Sequence, residues 1–242
     1  MTSAPSPSGP VHVLSGGAAQ GLVTQLQDRF SAQYPSGLAG TFGAVGMMKD
    51  KLLAGEPCDV IILSEALITQ LTASAHLVAG SAQALGAVKT GVAVKTGDKP
   101  PDVGSPEALK TALRSATGIY FPDPVKATAG IHFMRVLKAL GLETELAGRL
   151  RPFSNGTAAM KAMAETNEPG LLGCTQVTEI IFAPGVLLAG ALPREFELAT
   201  VYTAALSNRA AQPRAATALI ELLTSPEAAG LRSAGGFEPL PE

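Results

Sequence analysis

The chain has no tryptophan, aromatic residues make up only 5% of its 242 positions, and charged residues stop at 16%. With 46% apolar residues against so little charge, an intrinsically disordered chain is excluded, because there is ample side-chain material for a buried core. The formal net charge is −2 and no lysine- or arginine-rich run occurs. That removes the electrostatic footprint required by a nucleic-acid partner or an anionic membrane surface. Long apolar runs are also lacking. Val60-Ile61-Ile62-Leu63 and Val186-Leu187-Leu188-Ala189 fall far short of the roughly 20 residues of a spanning helix, so no membrane insertion is expected. The stretch from Met1 to Pro10 is small, polar and proline-rich, without the basic start and apolar core of a secretion signal. The expected location is periplasmic if a signal has been removed and cytoplasmic otherwise.

Metal and redox chemistry have little to build on. Cys58 and Cys174 stand far apart in apolar surroundings without a CxxC pair, and are expected as inert buried hydrophobes. The three histidines, His12, His76 and His132, are scattered, and no zinc spacing, Walker loop, nucleophile elbow or dinucleotide fingerprint occurs. No metal and no other cofactor is expected.

What is present is a repeated alternation of short apolar strands and helical segments. Val11-His12-Val13-Leu14 reads as a strand, Ser15-Gly16-Gly17 as a turn, and Leu22, Leu26 and Phe30 recur on one face of a helix that Pro35-Ser36-Gly37 stops. A second unit follows, with a strand from Leu38 to Phe42, a turn Gly43-Ala44-Val45-Gly46 and a helix from Met47 to Leu53. A third has a continuous apolar strand from Cys58 to Leu63 and a helix capped by Ser64. Gly86 to Lys95 is a long strand, after which Lys99-Pro100-Pro101-Asp102 interrupts the pattern. A new helix begins at Ser105-Pro106-Glu107, and strands are expected near Gly118–Phe121, Leu150–Phe153, Gly170–Thr175, Val186–Leu192 and Thr200–Leu206. Closing helices cover Pro213 to Thr224 and Pro226 to Ser233.

This alternation implies an α/β fold of parallel βαβ units with helices on both sheet faces. At this length it predicts two lobes of about 100 residues each joined by a hinge. The first lobe is discontinuous, 1–87 and 202–242, and the second spans 88–201. Ligands on such sheets sit beyond the carboxyl ends of the strands. Four turns fall there: Ser15-Gly16-Gly17-Ala18, Gly43-Ala44-Val45-Gly46, Lys126-Ala127-Thr128-Ala129-Gly130 and Asn155-Gly156-Thr157. Each opens a helix whose first N–H groups lack helical partners and whose dipole favours negative charge. Together they predict a cradle for a small anion, with Gln176 beyond a further strand end. Singly, each turn is equally explained as an ordinary cap.

These blocks occur in an order that resembles a known family. They are Ser15-Gly16-Gly17-Ala18, Thr41-Phe42-Gly43-Ala44-Val45-Gly46, Leu53-Ala54-Gly55-Glu56-Pro57-Cys58-Asp59-Val60, Asp123-Pro124 before Thr128-Ala129-Gly130-Ile131, and Leu223-Thr224-Ser225-Pro226-Glu227-Ala228-Ala229. From Val11 to Phe237 the chain resembles the type 2 periplasmic substrate-binding proteins, specifically the molybdate-binding-protein-like branch of ABC importers. The resemblance implies a two-lobed monomer that traps an anion and presents it to an ABC permease. Molybdate binders of this branch use serine hydroxyls and N–H groups from the first two turns and a tyrosine from the second lobe. Here Gly43 to Gly46 carries no hydroxyl, and the tyrosine position falls near Cys174-Thr175-Gln176. An organic carboxylate is therefore expected before molybdate.

Some chains of this branch are aconitate isomerases, so the resemblance also implies an enzymatic alternative. Moving a proton along an unsaturated acid needs a base beside the substrate and donors for the enolate-like intermediate. His132, just inside the helix opened by Thr128-Ala129-Gly130, and Glu179, after a second-lobe strand end, are the candidates. A hydrogen-bonded structural histidine and a solvated helix face would account for them equally well. Lys126 is placed to pair with a carboxylate, although a loop lysine is as readily just solvated. Asp59, Ser64 and Glu65 read as structural, and Met47, Met48, Met160 and Met163 as core filler.

Overall fold

A computed structural model describes residues 9–240, so the expectations resting on 1–8 lie outside the described residues. The first three units form as β1 (Val11–Gly16), α1 (Gln20–Gln33), β2 (Leu38–Gly43), α2 (Val45–Leu53), β3 (Val60–Ser64) and α3 (Glu65–Ala73). Helix α2 begins two residues before the expected Met47, because Ala44 adopts the extended N-cap conformation. Ser64 stands at the N-cap of α3 as expected, but its side chain makes no capping hydrogen bond. The long strand β4 (Gln83–Lys95) comes next.

Beyond β4 the chain forms α4 (Pro106–Ser115), β5 (Gly118–Pro122), α5 (Thr128–Ala139), α6 (Glu143–Leu146), β6 (Leu150–Phe153) and α7 (Gly156–Glu165). It continues with β7 (Leu171–Gln176), α8 (Val177–Phe182), β8 (Val186–Ala191), β9 (Ala199–Leu206), α9 (Pro213–Thr224) and α10 (Ala229–Ala234). Side chains fix two of these starts. Ser105 Oγ accepts from Ala108 N at 3.2 Å ahead of Pro106, and Asn155 Oδ1 accepts from Ala158 N at 2.8 Å. Such caps contribute about 1 kcal/mol each. Expected as one helix, 226–233 instead divides into a 3-10 turn, Pro226–Ala228, and α10.

Among the described residues the strands run β2-β1-β3-β9-β4-β7-β5-β6, with β8 also on β4. β1 pairs parallel with β2 and β3, and β5 pairs parallel with β6 and β7. All pairings of β4 and β9 are antiparallel. β4 joins the two halves: Gln83 to Lys89 pair with β9, while Thr90 to Ala93 pair with β7. Near the start of β4 the register shifts at Gly86, whose φ is +143° and where an added Cβ would lie 2.7 Å from Glu238 O. Only glycine tolerates that bulge with the C-terminal segment pressed against it.

Packing follows the same division. One hydrophobic cluster takes residues from Val11 to Val88 and again from Tyr202 to Phe237, around Leu26, Phe30, Ile61, Ile62 and Leu219. Two others lie between Val92 and Leu192, one around Leu109, Phe121, Phe133 and Leu137, the other around Met160 and Met163. Each fully buried aliphatic or aromatic side chain contributes about 1.5–3 kcal/mol. Asp59 ties the first cluster's edges: its carboxylate accepts from His12 N at 2.7 Å and Gln212 N at 2.9 Å. Cys58 and Cys174 are free and buried. No described helix is long and apolar enough to cross a membrane.

Candidate functional site

The carboxyl ends of the parallel strands face one another across the molecule and enclose a cavity of about 20 Å³. Gly17, Gly43, Ala44, Val45 and Tyr202 line one wall, and Thr128, Ala129, Asn155, Gly156, Gln176 and Glu179 line the other. Helix beginnings supply most of this surface, since Val45 opens α2, Thr128 opens α5 and Gly156 opens α7. N–H groups free of helical partners and positive dipole ends suit an anion.

Several expected site residues lie behind or beside this lining. Ser15 is fully buried and its Oγ donates to Gly16 O at 2.9 Å. At Gly16 an added Cβ would fall 2.8 Å from Val45 Cγ1, and at Gly130 one would fall 2.3 Å from the Pro122 carbonyl. Both glycines thus allow close packing behind the wall. Thr157 contributes through its backbone N–H, which donates to Glu179. His132 Nε2 lies 2.8 Å from Phe196 O and does not line the cavity, so its position is that of a hydrogen-bonded packing residue. Lys126 also stands outside, where its Nζ pairs with Asp50 Oδ2 at 2.7 Å. This pair and the hydrogen bond from Gly46 N to Lys126 O, 3.1 Å, clasp α2 to the segment leading into α5.

Glu179 dominates the interior. It is 7% exposed, and its carboxyl accepts from the Thr175 hydroxyl at 2.5 Å and from the N–H groups of Gln176, Thr157 and Gly156. Burial pushes its pKa above the ordinary carboxylate range, and the four hydrogen bonds pull it only part of the way back. The solvated helix face that the sequence allowed is therefore not its environment. Glu179 is also the one lining residue of acidic or basic type. Its carboxyl reaches the opposite wall, since a Cβ added to Gly17 would stand 2.1 Å from Oε1. Glycine is needed at 156 for the same reason, with an added Cβ 2.0 Å from Oε2.

Two neutral polar side chains complete the interior. Gln176 is 2% exposed; its amide lies against the Tyr202 phenol and is otherwise unpaired. A buried amide left partly unpaired is costly, which marks it as a group waiting for a ligand. Tyr202, on β9, is buried beside it, and burial together with the Glu179 charge pushes its phenol upward. Sequence reasoning missed Tyr202, whose one signal is its place on the strand carrying the chain back to the first lobe. A signal for the burial of Glu179 did exist: it is the third residue of α8 and reaches back to the N–H of the capping Gln176, the return half of a capping box. A larger groove of about 690 Å³ along α4 shares no residue with this cleft.

A cleft between two lobes, lined by helix beginnings and clasped across its mouth, defines a protein that closes around a small solute. The chain belongs to the bacterial extracellular solute-binding protein family, whose model matches residues 11–238. Among curated proteins it is similar to an aconitate isomerase from Pseudomonas sp, 26% identical over 95% of this chain and 87% of that protein. Among solved structures it resembles the periplasmic molybdate-binding protein of Azotobacter vinelandii, with a TM-score of 0.79 at 20% identity, covering 96% of this chain and all of that one. The sulfate-binding protein SubI from Mycobacterium tuberculosis H37Rv has a TM-score of 0.73 at 14% identity, covering 96% of this chain and 87% of that one. The type 2 periplasmic-binding fold expected from the sequence is thereby established.

Proposed function

We propose that this protein closes on a small unsaturated carboxylate and moves a proton along it, as an isomerase of the aconitate isomerase kind, with Glu179 as the acid-base group. The observation that carries this reading is a buried carboxyl of raised pKa inside an anion-suited cleft. A proton-transfer enzyme requires an acid-base group beside its substrate, and Glu179 is the carboxyl that lines this cleft. Ionised Glu179 removes a proton from the carbon beside the double bond. The electron pair spreads over the allylic carbons onto the attached carboxylate oxygens. The proton then returns at the far carbon and the double bond migrates, with no oxidant or leaving group involved. The starts of α2 and α5 hold substrate carboxylates and stabilise the added charge. Closure uses the two lobes divided as 1–87 with 202–242 and 88–201.

The direct test is incubation with trans-aconitate, followed by proton NMR for the cis isomer. Turnover by the wild type that drops about a hundredfold or more in Glu179→Gln, with ligand-induced thermal stabilisation retained, is the expected outcome. Stabilisation without turnover would leave a second reading, which family membership favours. In that reading the chain is a periplasmic receptor that delivers a carboxylate to an ABC permease.

A further inference from the structure

The N–H groups of Gly156, Thr157 and Gln176 and the Thr175 hydroxyl converge on one point, as donors do around a bound oxyanion, and the group they hold there is the Glu179 carboxyl. We infer that Glu179 is a tethered occupant of the second-lobe half of the anion cradle, and that by filling it the residue excludes inorganic tetrahedral oxyanions such as sulfate and molybdate. The inference rests on the reading of this cleft as an anion site, but not on whether the site catalyses.

Three observations support it. Space is the first: the Glu179 carboxyl fills the gap in front of Gly156 and Gly17, where an added Cβ would lie 2.0 Å from Oε2 and 2.1 Å from Oε1, so no second anion can stand on those helix starts while the side chain is there. Donor supply is the second. A caged tetrahedral anion must exchange its hydration for several protein donors, and no lysine, arginine or histidine lines the cavity, so neutral donors have to suffice. Four of these are engaged by Glu179. The third is Gln176, 2% exposed, whose amide meets the Tyr202 phenol and no other partner. It remains available to a ligand that brings its carboxylate to the part of the cavity Glu179 leaves open.

Removing the occupant should therefore change specificity and not merely weaken binding. Glu179→Ala deletes the γ- and δ-carbons and both oxygens while leaving the four donors. Calorimetric titration with sodium molybdate and sodium sulfate should detect no binding to the wild type or to Glu179→Gln, whose amide keeps the cradle filled. Glu179→Ala should bind at least one of the two, at least about tenfold tighter than the wild type, as expected for new hydrogen bonds to a charged group. Wild-type affinity equal to that of Glu179→Ala would overturn the inference. So would an alanine variant with native circular dichroism that binds neither anion. If the alanine variant does not fold, Glu179→Ser is judged by the same criteria. Aconitate turnover by the wild type is scored separately, so the catalytic proposal can fail while this one stands, or the reverse.

Discussion

The two walls of the cleft are built from different materials. The first-lobe wall offers backbone and small side chains, Gly17, Gly43, Ala44 and Val45, with Tyr202 as its one large polar group. The opposite wall brings Thr128, Asn155, Gln176 and Glu179. Both are made of helix beginnings, so both suit an anion, but only the second holds a carboxyl and a primary amide. One wall is thus a receiving surface and the other an instrument. In the isomerase proposed above, closure would bring the backbone-rich face onto the one that carries the side chains.

Glu179→Gln is the most damaging test of that contrast, with turnover falling about a hundredfold or more while the fold and carboxylate binding remain. Placing a methyl group on either wall should come next. An added Cβ at Gly156 or Gly17 would meet the Glu179 carboxyl at 2.0 and 2.1 Å. Gly156→Ala should cost about 1–3 kcal/mol in urea denaturation, because both members of that contact lie within the second lobe. Gly17→Ala should instead hinder closure, measured as weaker carboxylate binding with little change in unfolding. Equal effects of the two on unfolding would erase the distinction between the walls.

Gln176→Leu should weaken carboxylate binding about tenfold in calorimetry, and an unchanged affinity would remove Gln176 from the site. Acidity offers a subtler probe. Glu179 has its pKa raised above the ordinary 4.5, so the folded chain keeps this proton over a range where the unfolded chain has lost it. The stability contribution is complete below that ordinary value and declines as pH rises from there toward the folded pKa. Thermal melts should show this decline in the wild type and a flatter profile in Glu179→Gln. The smallest effect belongs to the exposed clasp. Lys126→Ala breaks the contact with Asp50 and should alter ligand affinity by no more than about threefold, less so at high salt.

Much of the fold was legible because periodicity reports burial. The apolar run Val60 to Leu63 is a covered parallel strand, and Leu22, Leu26 and Phe30 are the buried face of α1. Turn chemistry located the helix beginnings for a similar reason, since Asn155 and Ser105 act on neighbours a few residues away. The site was only partly legible. Glu179 carried one local signal, its place three residues after the capping Gln176, whereas nothing near His132 in the chain shows that it packs against Phe196. Tyr202 was missed because its strand crosses between lobes, and its neighbours are brought to it from Gln176 and Glu179.

The sequence by itself determined the alternation of elements, the low charge without a basic run, and the glycine-bearing turns that open helices at strand ends. These are consequences of interactions between residues near in the chain or of bulk composition. Which of those turns meet, that Glu179 is desolvated and sits on the amides of α7, and that Lys126 pairs with Asp50 were decided by the tertiary structure alone. Each depends on distances between groups far apart in sequence, and on the burial that raises a carboxyl's pKa above its ordinary range.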